Sequence, residues 1–253
     1  MRAWELMKET FFRRGYVWMV HVIWLALYGI FWWLFLPDPE EYGHFVLLWG
    51  GFLLPLALSG GILGDDITSG RICVLVTKPF WPGKLFIYRL LGLSLQGAVH
   101  FVLAAGVVFV LHTVTGRSTM VGLDRWLLSC WLLFNTFAAL SASLSVVVKR
   151  AHNALLMFVA TITIMIIAAM LMWQFRNHAI APIVEGFFRY PFPPFKLLDN
   201  MSRGLYAKES LTVGGWKIPV AVACVAHSLL LATLYGAAGV FLFTRRQFLS
   251  ERD

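Results

Sequence analysis

The chain has 253 residues, 59% of them hydrophobic and only 13% charged, with a formal net charge of +8. Soluble domains carry about 25% charged residues, so a water-facing surface over most of the chain is excluded. The basic residues flank apolar runs and form no separate patch, so they set topology and no nucleic-acid partner is expected.

The first fifteen residues carry both signs of charge. Trp4, Met7 and Phe11 share one helical face, which predicts a short helix lying in a membrane interface. No small-residue cleavage site follows the first apolar run, so that run is read as a retained helix. Tyr16 to Leu36 and Gly43 to Gly64 contain no Asp, Glu, Lys or Arg. Each is about 20 residues, enough to cross a ~30 Å hydrocarbon core as a helix. Hydropathy predicts six spans, at 16–36, 44–64, 86–113, 126–148, 154–175 and 218–243, in a single transmembrane domain covering 1–253. Backbone polar groups must be satisfied within each span, so the fold class is an all-α polytopic membrane protein.

With six spans both termini share a side. Thirteen Lys and Arg fall on that side and eight on the other, which puts both termini in the cytoplasm. The first outer loop agrees, since Asp38, Glu40 and Glu41 stand there without a cation. Tyr16, Trp18, Trp32, Trp33, Trp126 and Trp173 lie near span ends and predict aromatic belts.

Two connections are more than turns. Segment 65–85 opens with Asp65, Asp66, Thr68 and Ser69, good helix starters, and reaches Lys78-Pro79, a helix stop. A short cytoplasmic helix over about 66–77 is expected. The outer segment 176–217 is aromatic and broken by Pro191, Pro193 and Pro194, and is expected to fold back onto the membrane as a re-entrant stretch.

On the third span Arg89, Gln96 and His100 are spaced by seven and four and share a face. Polar side chains at that depth must face protein or water. The stripe either lines a translocation path or makes interhelical hydrogen bonds. Asn135, Ser141, Ser145, Thr161, His227 and Ser228 read as packing contacts, and Gly60 with Gly64 as a small-residue pair.

Segment 65–89 resembles the permease subunits of ABC-2 type transporters. The matching residues are Asp66, Gly70-Arg71-Ile72, Leu75, Lys78-Pro79 and Arg89; Phe80-Trp81-Pro82 departs from the family's small turn. Ser141, Ser143 and Ser145, Pro193-Pro194-Phe195, Leu197-Leu198-Asp199 and Phe243-Thr244-Arg245-Arg246 are similar in placement. The resemblance implies a half-transporter in a bacterial inner or plasma membrane. It implies a second permease copy or homologue, and a separate ABC ATPase that holds ATP and Mg. Export is implied, with segment 65–85 as a coupling helix. Asp65, Asp66, Gly70, Arg71, Lys78, Pro79 and Lys84 are then the expected ATPase-coupling residues, and Arg89, Gln96 and His100 the candidate path.

No P-loop, H-E-x-x-H, C-x-x-C or G-x-S-x-G sequence is present, so neither an enzyme nor a resident cofactor is expected. Cys73, Cys130 and Cys224 are far apart and form no metal spacing. His21, His100 and His227 lie on three spans that could meet. An intramembrane enzyme and a non-transporting scaffold are the competing readings.

Overall fold

A computed structural model describes residues 3–12, 15–34, 42–43, 45–46, 49–59, 62–63, 66–67, 82–116, 122–148, 150–175, 183, 186, 194–206, 209–213 and 216–245. In chain order these include α1 (Ala3–Phe12), α2 (Gly15–Leu34), a π-helical turn (Trp49–Leu53) running into α3 (Leu54–Ser59), and α4 (Pro82–Val114). Next come α5 (Leu123–Leu144), α6 (Arg150–Gln174), α7 (Phe195–Ser202), β1 (Ser210–Val213), β2 (Trp216–Pro219) and α8 (Val220–Arg245).

Among the described residues four helices, α4, α5, α6 and α8, are long and apolar enough to cross a membrane. Two shorter apolar stretches, Trp18–Leu34 and Trp49–Ser59, accompany them. Leu155, Ile166, Met170 and Trp173 on α6 are all exposed. Leaving such side chains in water forfeits roughly 1.5–3 kcal/mol each, which a lipid surround avoids. This is the surface of a membrane protein.

The predicted second span, 44–64, is described as helix mainly over Trp49–Ser59. Pro55 explains the unusual turn before α3. It has no N–H to donate, and its ring crowds the carbonyl four residues back, at Gly51; a wider π turn relieves both. Helix α4 starts at Pro82, where a missing N–H costs nothing. Its 33 residues make it about 50 Å long.

Helix α5 is the hub. It packs against α3, α4, α6, α7 and α8, and two thirds of its most apolar stretch is buried, against 17% for that of α6. Small residues (Ala138, Ala139, Ser141, Ala142, Ser143) make this possible by letting backbones approach. Ser143 Oγ donates to the Tyr235 carbonyl of α8 at 2.6 Å, and Asn153 Nδ2 of α6 donates to the Ser141 carbonyl at 2.9 Å. Trp131 Nε1 donates to the Ser94 carbonyl of α4 at 3.1 Å. Gly239 of α8 sits where any Cβ would overlap the Phe86 ring and Ser143 Oγ.

Trp33 and Trp173, two of the residues expected in the belts, are exposed. The belt expectation fails for Trp32 and Trp126, which are buried. Trp126 Nε1 donates to the Gly43 carbonyl at 3.1 Å, and the Trp32 ring packs on Tyr42 and His112. Segment 176–217 contains two elements that hydropathy did not predict. Helix α7 follows Pro194 and buries Leu197, Leu198 and Met201 against α5. Strands β1 and β2 form an antiparallel hairpin pairing Ser210 with Pro219 and Val213 with Trp216. The flanking quartets alternate in polarity around Gly214-Gly215, a hairpin signal too short for a span-length window.

Gly239→Ala should lower stability by about 1–3 kcal/mol through overpacking. Thermal unfolding in detergent measures it, with Gly106→Ala as control. A Cβ at Gly106 meets open space, so that variant should hold or slightly raise the midpoint.

Candidate functional site

The stripe on α4 contains a fourth residue, Gly92. Arg89, Gly92, Gln96 and His100 follow one helical face, and Arg89, Gln96 and His100 are each at most 3% exposed. Three layers of contacts run along it.

At the first layer, Arg89 Nη2 lies 3.2 Å from Glu9 Oε2 of α1 and 3.3 Å from Asp66 Oδ2. Arg89 Nη1 donates to Thr10 Oγ1 at 3.1 Å. The Asp66 side chain is fully buried. One guanidinium therefore ties three stretches of chain together: α1, α4, and the residues following the second apolar run. Charges removed from water need such partners, because isolation costs several kcal/mol per ion.

The second layer fixes the end of α1. The last carbonyls of a helix have no internal partner. Gln96 Nε2 supplies one, donating to the carbonyls of Thr10 (3.2 Å) and Phe11 (2.9 Å). Gly92 makes room, since a Cβ there would stand 2.8 Å from Thr10 Cβ and 3.0 Å from the Met7 carbonyl.

The third layer is aromatic. His100 Nδ1 is 3.2 Å from His21 Nδ1 of α2, and His100 Nε2 is 3.2 Å from Tyr28 Oη. Two facing imidazole nitrogens can bond only if one bears a hydrogen and the other is bare. If Tyr28 donates to Nε2, His100 carries its hydrogen on Nδ1 and donates to His21; if Nε2 carries the hydrogen, both bonds run the other way. Tyr42 Oη then donates to the Tyr28 carbonyl at 2.9 Å, holding α2 in place from the residues that follow it. The row is a hydrogen-bonded chain of three side chains across α2 and α4.

Several expectations are relocated. Asp66, expected on a docking surface, is turned inward onto Arg89, because that buried cation needs carboxylates. Arg89 and Gln96 bond to α1 and His100 to α2, the interhelical bonds that were the other reading of the stripe. Lys84 is exposed on the first turn of α4. Asp65, Gly70, Arg71, Lys78 and Pro79, with Gly60 and Gly64, lie outside the described residues. His21 meets His100, while His227 on α8 takes no part in that bond. Among the described residues no group of three or more His, Cys, Asp or Glu is placed to hold a metal ion. Sequence reasoning missed Glu9, Thr10, Tyr28 and Gly92. Gly92 was the available signal, since a glycine between two buried polar residues on one face marks close backbone approach.

No family model and no curated protein matches the sequence.

Arg89→Met should cost about 3–5 kcal/mol by removing the guanidinium that faces the buried Asp66 and the part-buried Glu9. Adding Glu9→Gln and Asp66→Asn to it should recover most of that loss. Chemical-denaturant or thermal unfolding in detergent checks both. Gln96→Leu should cost about 1–3 kcal/mol, and should speed protease cleavage within 3–12 while leaving the α4–α5–α8 core protected.

Proposed function

We propose that the chain is the membrane-spanning permease subunit of an ABC-2 type transporter. A separate ATPase drives it, and it pairs with a second copy or a homologue. Six crossings are proposed, the four long helices together with the stretches Trp18–Leu34 and Trp49–Ser59. In this reading both termini are cytoplasmic, α1 lies in the inner interface, and segment 65–85 is the coupling helix. The membrane is a bacterial inner or plasma membrane and the direction is export.

One observation supports this best: the pair of ion contacts Asp66–Arg89–Glu9. Asp66 stands where the second apolar run passes into segment 65–85. A push on that segment reaches α4 and α1 through buried, charge-assisted bonds, which do not slacken as surface pairs do. A part that moves as one body is what a coupling element requires. The coupling surface is then Arg71, Lys78 and Lys84, with Asp66 as the anchor behind it. The row of Tyr28, His100 and His21 brings no nucleophile and no third metal ligand, so it lends no support to an intramembrane enzyme.

Co-purification from native membranes should recover an ATPase with the wild-type chain. Arg71→Glu, a charge reversal at a docking rim, should reduce recovery at least about tenfold. Asp66→Asn should keep the ATPase bound, yet lose the transport that ATP hydrolysis drives. A native complex without an ATPase overturns the reading, as does an Asp66→Asn variant with full transport.

A further inference from the structure

On the side of α4 away from the polar seam lies an apolar groove of about 730 Å³, walled by α4, α5 and α8. Ile87, Leu91, Trp131, Ala237 and Phe241 are among its lining residues. Of its polar lining residues, Ser94 among them, three spend a donor within their own helix. Asn135 Nδ2 donates to the Trp131 carbonyl, Thr233 Oγ1 to the Leu229 carbonyl and Thr244 Oγ1 to the Val240 carbonyl. The surface facing the space is mostly hydrocarbon, which suits an alkyl chain and offers little to a polar solute.

The groove follows α8 from Leu229 to Thr244, about 22 Å of helical rise.

One end of the groove is cationic. Phe86 of α4 and Phe243 of α8 adjoin there, ring centroids 6.5 Å apart. Lys84 precedes Ile87 and Leu91 on the same helical face, and it is exposed. Arg245 follows Phe241 by one turn, and its guanidinium lies 4.7 Å over the Phe241 ring, folded back toward the groove. Along α4, α5 and α8 there is a single carboxylate, Asp124, at the first turn of α5. Asn135 and Ala139, farther along α5, line the groove.

We propose that this groove binds an anionic phospholipid, its acyl chain against Leu91 and Phe241 and its phosphate between Lys84 and Arg245. The lipid would hold α4 to α8 at the membrane surface where both helices emerge. This inference needs only that the helices stand in a bilayer, so it survives if the transport reading fails.

The test uses the full chain reconstituted with phosphatidylglycerol or with phosphatidylcholine, then washed in mild detergent. Retained lipid is counted by mass spectrometry. About one phosphatidylglycerol per chain should remain, with little phosphatidylcholine. Each basic residue near a membrane surface contributes about fivefold, so Lys84→Gln with Arg245→Gln should cut retention about twenty-fivefold. Ala237→Leu, which fills the groove, should displace the lipid without altering charge. Equal retention of both lipids, or wild-type retention in either variant, overturns the proposal. So does a disulfide between two copies carrying Ala237→Cys, which would seat a second chain there. Should a variant fail to fold, wild-type chain labelled by a phosphatidylglycerol with a photoreactive acyl chain decides the matter. Label on Leu91, Trp131 or Phe241 supports the site, and label only elsewhere refutes it.

Discussion

A guanidinium that cannot reach water must bring its counter-charges with it, and this constraint organises one whole side of the molecule. Arg89 is fully enclosed, and its carboxylates come from Glu9 and Asp66, about eighty and twenty-three positions away in the chain. Each partner belongs to a different stretch, so satisfying one side chain fixes the relative positions of three. The geometry of the rest of the seam then follows. With α1 held at Glu9 and Thr10, its last carbonyls fall within reach of Gln96, and Gly92 lets its backbone lie close. Buried ion pairs are weak grounds for stability but good grounds for uniqueness of arrangement. Shifting α1 along α4 by one turn would strand both a cation and two backbone carbonyls.

The opposite side of α4 obeys a different rule. There the contacts with α5 and α8 depend on close packing, Gly97 against the Phe134 ring and Gly239 against the Phe86 ring, and on the Trp131 indole bonded to the Ser94 carbonyl. In hydrocarbon, apolar burial gives no driving force between helices, so close packing and a few hydrogen bonds must serve. The long helix is thus a two-faced element, ionic and polar toward the N-terminal helices, tightly van der Waals toward the hub.

Much of this was legible from residues alone, in proportion to how local its cause was. The charge-free runs identified the apolar helices, because exclusion of charge is a property of each segment by itself. The common face of Arg89, Gln96 and His100 was equally plain, since it depends only on helical period. Their partners were not, because Thr10, Glu9 and His21 lie 79 to 86 residues away and nothing in α4 names them. Asp66 was misread as a surface group for the same reason: acidic residues beside an apolar run look solvated until the buried cation opposite them is known. The second apolar run was visible as a run but not as a short helix opening on a π turn, which Pro55 dictates through backbone sterics. Helix α7 and the hairpin escaped because a window tuned to twenty residues averages over elements of four and eight.

Depth gives the seam one more meaning. An α4 of about 50 Å standing upright in a ~30 Å hydrocarbon layer extends about 10 Å beyond it at each end. Arg89, seven residues after Pro82, then sits at the level of the headgroup boundary, Gln96 about 10 Å further in, and His100 close to the midplane. The sequence of groups along this face runs from permanent charge, through an amide, to an imidazole that can be neutral. That is the order in which the cost of immersion falls, so the costliest group stands shallowest. In a bilayer so placed, a slide that carried Arg89 inward would be resisted far more than one that carried it outward.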